Sequence, residues 1–127
     1  MPRVLIIEDE IPVSQMYLLK LQKKGYKVSC AYDGSEGLEM AEKLMPDLII
    51  LDLLMPVMSG EVMLQKMRAT DWGKHIKVIV VTNVGSDLAH SRLRLLHVER
   101  YLIKVNHTPA EIADCVDEVL SKSKALA

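Results

Sequence analysis

Residues 48–56 read Leu48-Ile49-Ile50-Leu51-Asp52-Leu53-Leu54-Met55-Pro56. Four consecutive apolar residues, two of them β-branched, make a run too short for a helix and apolar on both faces. That is the pattern of a strand buried in the middle of a parallel sheet. An acid follows at once and Pro56 closes the segment. A carboxylate at the carboxyl end of a central strand stands where open α/β sheets bind their ligands.

Working outward, the same alternation of short apolar runs and helix-period segments occurs five times. Val4 to Ile7 is a second continuous apolar run. Pro12 suits the first turn of the helix after it, Met16, Leu19 and Lys23 mark that helix, and Gly25 ends it. Val28, Cys30 and Tyr32 alternate with Ser29 and Ala31, a weaker strand at an edge. Asp33-Gly34-Ser35-Glu36 turns into a helix whose inner stripe is Leu38, Ala41 and Leu44 or Met45, and Pro46 stops it. Ser59-Gly60 opens a helix with Met63, Leu64 and Met67 inside. Val78 to Val81 is a β-branched strand. Ser86 caps the next helix, with Leu88, Ala89, Leu95 and Leu96 inside, and His97 tolerates the left-handed conformation at its end. Tyr101-Leu102-Ile103 is a short last strand. Thr108-Pro109-Ala110-Glu111 is a capping box with proline at the first helical position, and Ile112, Val116, Val119 and Leu120 follow on the inner face.

Five βα units in one small chain predict an α/β fold: a flavodoxin-like (βα)5 doubly wound arrangement, a five-stranded parallel sheet of order 2-1-3-4-5 with helices on both faces. One domain is expected over residues 1–121, with 122–127 a frayed C-terminal tail or the start of a linker. The 127 residues are half hydrophobic and 26% charged, with a net charge of -1. That balance fits a globular domain, and the lack of a basic excess argues against direct nucleic-acid binding. No apolar run approaches the ~20 residues that span a bilayer, and the first residues lack a signal peptide's pattern. Cys30 and Cys115 stand apart inside apolar patterns, as buried thiols in a cytoplasmic protein do. His75, His90, His97 and His107 have no metal-ligand spacing. The eight methionines, in a chain without Phe, mostly fall on inner stripes and serve there as core filler.

The informative residues follow the strands. Strand one ends in Glu8-Asp9-Glu10, strand three in Asp52, strand four in Thr82-Asn83 and strand five in Lys104. Carboxylates brought within ~5 Å of one another repel, and a hard divalent cation removes that repulsion. Mg²⁺ takes oxygen ligands, few carboxylates and several waters, which leaves room for a phosphate oxygen. Asp9 and Asp52 offer carboxylates and Leu54 a backbone carbonyl. Lys104 is a point charge for a phosphoryl oxygen, and Thr82 offers a hydroxyl. An exposed Asp nucleophile with these parts suffices for phosphoryl transfer, which rests on positioning and charge neutralisation.

Glu8-Asp9, Asp52-Leu53-Leu54-Met55-Pro56 with Gly60 downstream, Thr82, and Tyr101-Leu102-Ile103-Lys104 together resemble the receiver domains of two-component response regulators (the CheY-like family). The resemblance runs from Val4 to Leu120. It implies that Asp52 is the phosphoacceptor, served by a sensor histidine kinase or a phosphotransfer protein, with Lys104 and Thr82 assisting. It also implies Mg²⁺ held by Asp9, Asp52 and the Leu54 carbonyl directly and by Glu8 through water. Thr82 and Tyr101 would be the switch pair that remodels the face of the fourth helix, fifth strand and fifth helix toward an unknown output partner, or into a homodimer on phosphorylation. Arg92, Arg94 and Arg100 border that face. The alternatives within the family are a phosphorelay carrier and a receiver-like scaffold that is not phosphorylated. Catalysis would be confined to the chain's own phosphoryl transfer and slow autodephosphorylation.

The chain departs from the family pattern in two places. Receivers commonly carry proline after the lysine, often through a cis peptide; here Val105 stands there and a trans bond is expected. The residue after the threonine is usually small; here Asn83 either hydrogen-bonds a phosphoryl oxygen or narrows the entrance. Leu54 and Val84, with Asn83, occupy the positions that tune hydrolysis. Both are apolar, so a long-lived aspartyl phosphate is expected. Leu54 also argues against a rival reading as an Asp-nucleophile phosphatase, which needs a second Asp there. Glu8-Asp9-Glu10 argues against a flavin or nucleotide module, whose phosphate those acids would repel.

Overall fold

The computed structural model describes the backbone of residues 1–85 and 87–126 and the side chains outside 86–88 and 122–127. The order is β1 (Arg3–Ile7), α1 (Ile11–Lys23), β2 (Lys27–Ala31), α2 (Gly34–Leu44), β3 (Leu48–Leu51), α3 (Gly60–Arg68), β4 (Lys77–Thr82), α4 (Asp87–Arg94), β5 (Arg100–Ile103), a 3₁₀ turn (Lys104–Asn106) and α5 (Pro109–Leu126). The strands form one sheet in the order β2-β1-β3-β4-β5, every pair parallel. The expected fold is the observed one.

Alternation along the strands divides the core in two. Leu5, Ile7, Ile49, Leu51, Val78 and Val80 point to one face, where Ala41 of α2, Met63, Leu64 and Met67 of α3 and Leu93 of α4 cover them. Val4, Ile6, Leu48, Ile50, Ile79 and Val81 point to the other, under Tyr17 and Leu21 of α1 and Ile112, Val116 and Val119 of α5. Because β3 is buried on both faces, its run has no polar residue until Asp52. β2, at the edge, is only partly buried, and β5 is half-buried throughout.

Local signals placed the ends. Gly25, with φ +92°, follows the last residue of α1's cap, and Asp33 caps α2 by accepting from the Glu36 N–H. His97 takes the left-handed conformation. Thr108 and Glu111 bond reciprocally, at 2.8 and 3.1 Å.

Two inner stripes differ from expectation, and α1 buries a face that its marker residues do not indicate. On α1 the buried residues are Ser14, Tyr17 and Leu21, while Met16 and Leu19 are about half exposed. The two triplets share one spacing and differ by two positions, which is over half a helical turn. Where both faces of a helix carry apolar residues, periodicity sets the spacing and leaves the phase open. In α4 Leu93 is buried and Leu95 is 81% exposed, because the helix ends at Arg94 and Leu95 lies in the following turn. Met45 leaves the stripe of α2 because it is the left-handed cap, at φ 48°. The expected Ser86 cap and the inward Leu88 side chain lie outside the described residues.

Candidate functional site

The sheet's hydrogen bonding continues past the strand ends and gathers the acids. The Glu8 N–H donates to the Ala31 carbonyl at 3.1 Å and the Asp52 N–H to the Ile7 carbonyl at 3.0 Å. Glu8, Asp9 and Asp52 each bring a carboxylate oxygen to within 4.8 Å of the others. From the end of β5 the Lys104 ammonium reaches across, 2.6 Å from Glu8 Oε1, 3.0 Å from Asp52 Oδ2 and 4.0 Å from Glu10 Oε1. Sequence reasoning gave a role to each of these but Glu10, whose neighbourhood to Lys104 depends on how the chain leaves β1.

Asp52 is not the exposed nucleophile that was expected. Its side chain is 6% exposed, that of Glu8 2% and that of Lys104 13%. Asp52 extends a strand buried on both faces, and Lys104 and Glu8 cover its carboxylate. The enclosure shows in the charges. Burial pushes the Glu8 carboxyl up to about 7, the Asp52 charge adds to this, and the hydrogen bond from Lys104 opposes it. For Lys104 burial works against the charged form, but the hydrogen bonds to Glu8 and Asp52 outweigh it and raise the pKa.

The loop after β3 is shaped to hold Asp52. The Leu54 N–H donates to Asp52 Oδ1 at 3.4 Å. The Met58 N–H bonds the Pro56 carbonyl at 2.7 Å across Val57, whose φ is 69°. This is a γ-turn with a β-branched residue at its centre, strained by about 1–3 kcal/mol. The Gly60 N–H then returns to the Leu53 carbonyl at 2.9 Å. A Cβ on Gly60 would lie 2.0 Å from the Asp52 carbonyl oxygen, so only glycine lets α3 begin there.

Thr82 ends β4 as expected but is wholly buried, its Oγ1 accepting from the Val84 N–H at 3.4 Å. Asn83 does something not foreseen: its Oδ1 accepts from the Val105 N–H at 3.2 Å. Among the described residues there is no cis peptide, so the bond before Val105 is trans. The Tyr101 hydroxyl donates to the Val84 carbonyl, and its ring lies 4.9 Å from that of His90. Leu54 is exposed and Val84 half-buried. Arg92 grips Glu61 of α3 with two nitrogens, at 3.1 and 3.0 Å, and Arg100 pairs with Glu118 at 3.2 Å.

A hard divalent cation fits this donor set. Several carboxylate oxygens converge, no His or Cys joins them among the described residues, and the deeply buried Glu8 carries a raised pKa that a cation would relieve. A cavity of about 700 Å³ at the other end of the sheet is a poorer candidate. Its most buried cation, Arg68, already donates to the carbonyls of Leu96, Gly73, Ile76 and His97. Lys74 and Lys77 face Asp71 and Glu99.

Known proteins share this sequence pattern and fold. The family model described as "Response regulator receiver domain" matches residues 4–117. The DNA-binding dual master transcriptional regulator RpaA of Synechocystis sp. is 39% identical over 85 residues, 67% of this chain and 35% of that protein. Chemotaxis protein CheY of Treponema pallidum is 32% identical over 105 residues, 80% of this chain and 72% of that protein. The structure of Vibrio cholerae chemotaxis protein CheY4 superposes with a TM-score of 0.85 at 30% identity, over 94% of this chain and 98% of the other. The chain thus spans about a third of the first of these relatives and most of the CheY proteins. The chain belongs to the response regulator receiver domains of two-component signalling, CheY-like in fold.

Proposed function

We propose that this receiver is a phosphorylation-activated switch whose acceptor is Asp52. The observation that carries the reading is the meeting of Asp9, Asp52 and Glu8 within 4.8 Å, with Lys104 bridging two of them. Receiver domains are signalling switches phosphorylated by histidine kinases, and they bind Mg²⁺ at an acidic pocket. Here Asp9, Asp52 and the Leu54 carbonyl would hold the ion, with Glu8 acting through water. When bound, Mg²⁺ supplies charge neutralisation for the carboxylates and the incoming phosphoryl oxygens. The rest is the work of the chain. An Asp52 oxygen attacks phosphorus, the P–N bond of a phosphohistidine breaks, and the imidazole leaves with its electron pair. Because Lys104 covers Asp52, its ammonium must leave Oδ2 for the attack and can then pair with the phosphoryl group. Ile11 at the start of α1, Leu54 and Val57 in the loop after β3 and Val105 in the 3₁₀ turn are all exposed at this end of the sheet and offer apolar area to a kinase or phosphotransfer protein.

Thr82 and Tyr101 transmit the change. Thr82 gives up its bond from Val84 to meet the phosphoryl group, and Tyr101, tied to the Val84 carbonyl, repacks with it. The face of α4, β5 and α5 is thereby altered for an output partner or for a homodimer. A cytoplasmic location and a folded unit over residues 1–121, past which α5 runs on to Leu126, complete the reading; no helix among the described residues is long and apolar enough to cross a membrane.

Incubation with acetyl phosphate and Mg²⁺, followed by intact mass, tests the proposal. One added phosphate is expected, absent without Mg²⁺ and in Asp52→Asn. Phosphate retained in Asp52→Asn refutes it. With Leu54 and Val84 unable to orient a water, the phosphorylated state should outlast minutes; a half-life of seconds refutes that part.

A further inference from the structure

Asn83 follows Thr82 and Val105 follows Lys104, so each adjoins one of the two groups that would meet the phosphoryl group. Between them runs the hydrogen bond from the Val105 N–H to Asn83 Oδ1, 3.2 Å long and spanning 22 residues. The backbone ladder of β4 and β5 has its last register pair at Thr82 and Ile103. Past that point the two chains diverge, into the loop before α4 and into the 3₁₀ turn Lys104–Asn106. The first N–H groups of such a turn have no partner within it. Val105 is 77% exposed, so water would satisfy its N–H at little cost. An amide side chain does so instead, and extends the cross-link one step beyond the sheet.

We infer that Asn83 is a positioning residue for phosphoryl transfer: by latching Val105 it holds the backbone that aims Lys104 at Asp52 and ties that backbone to the loop leaving Thr82. Lys104 is then fixed on its N-terminal side by strand β5 and on its C-terminal side by the latch. Its ammonium lies 2.6 and 3.0 Å from two carboxylates, and a loose loop would not deliver it to the phosphoryl group that forms beside them. The latch exists because the residue after Lys104 has an N–H: a proline at 105 would remove the donor, and an alanine at 83 would remove the acceptor. The two departures from the family pattern are thus halves of one device. This inference rests on the proposed acceptance of a phosphoryl group at Asp52.

The test uses the whole chain and three variants, Asn83→Ala, Val105→Pro and the double. Amide hydrogen exchange at Val105 reads the latch directly: protection in the parent chain should fall at least tenfold in Asn83→Ala. Phosphorylation by acetyl phosphate in saturating Mg²⁺ reads its consequence. Asn83→Ala should slow the reaction about two- to tenfold, the range one neutral hydrogen bond supports. Mg²⁺ affinity should stay unchanged, because no carboxylate is touched. Val105→Pro should slow it similarly, and the double variant should be no slower than the worse single one. Equal exchange at Val105 with and without Asn83 overturns the latch. Unchanged phosphorylation in Asn83→Ala overturns the positioning role. Losses that multiply in the double variant overturn it as well, since Asn83 would then act on the phosphoryl group itself. Should Val105→Pro fail to fold, exchange and rate in Asn83→Ala still decide. A parent chain that takes no phosphate at all is a failure of the proposed function, and is seen before any variant is compared.

Discussion

Replacing Glu8 by Gln should remove a pH dependence of stability whose sign and size follow from the site. Glu8 is 2% exposed and its carboxyl is pushed from 4.5 to about 7, by burial first and by Asp52 second, against the pull of Lys104. Between those two values the folded chain keeps a proton on Glu8 that the unfolded chain has released. The folded state therefore binds more protons, and stability falls as pH rises through the window from 4.5 to about 7. It returns in full below 4.5, and above 7 the loss is complete. A carboxyl moved over that interval changes stability by about 3 kcal/mol. Gln does not ionise, and it leaves Lys104 its bond to Asp52. The parent chain should therefore lose about 3 kcal/mol relative to Glu8→Gln between pH 4.5 and 8. Urea unfolding in EDTA, followed by the fluorescence of Trp72, which packs against the core, measures both proteins at each pH. Parallel stability curves would refute the reasoning. So would a difference that moves in the parent's favour as pH rises, because Lys104 would then stabilise ionised Glu8 by more than burial opposes it.

Lys104→Met leaves two acids that are almost wholly enclosed without their cation, and should cost about 3–5 kcal/mol in EDTA at pH 8; a loss under 1 kcal/mol by urea unfolding contradicts the buried pairing. Chelating Mg²⁺ should lower stability at pH 8 by about 1.4 kcal/mol from the value at ten times its Kd. The loss should be smaller at pH 5, where protons compete for Glu8, and calorimetry with and without EDTA at both pH values checks this. Gly60→Ala sets a methyl group 2.0 Å from the Asp52 carbonyl oxygen. The chain must then shift at Asp52, with about 1–3 kcal/mol lost and slower phosphorylation by acetyl phosphate; a variant equal to the parent in both refutes the close approach.

The sheet was legible because its signals are local and strong. Val4 to Ile7, Leu48 to Leu51 and Val78 to Val81 are apolar on both faces, and that property belongs to inner strands of a parallel sheet. Caps at Asp33, Ser59 and Thr108 could be recognised because a capping side chain bonds within three residues of itself. The inner face of α1 was not legible. Met16 and Leu19 are as apolar as Tyr17 and Leu21, and which pair turns inward depends on the angle at which the helix leaves β1 and meets α5. That angle is a property of the packed whole. Leu95 misled for a related reason: the apolar pattern continues one residue past Arg94, where the helix has already ended.

The site divides along the same line. Asp9, Asp52, Thr82 and Lys104 could be singled out because each lies at or just past the end of a strand, and parallel strands deliver their ends to one edge whatever the details of packing. How far Asp52 is enclosed was invisible, since exposure depends on Lys104 folding over it from a strand two places away in the sheet. Asn83 and Val105 show what a long-range bond does to such reading. Each is plain in the sequence as a departure, and each alone reads as a loss: one bulky amide beside the site, one missing proline. Their meaning lies in a pairing across 22 residues. Neither residue carries a local preference for the other, so the pair becomes visible only when β4 and β5 run side by side and set the two departures within reach. Two irregularities that adjoin neighbouring strand ends are therefore better tested as a bonded pair than explained one at a time.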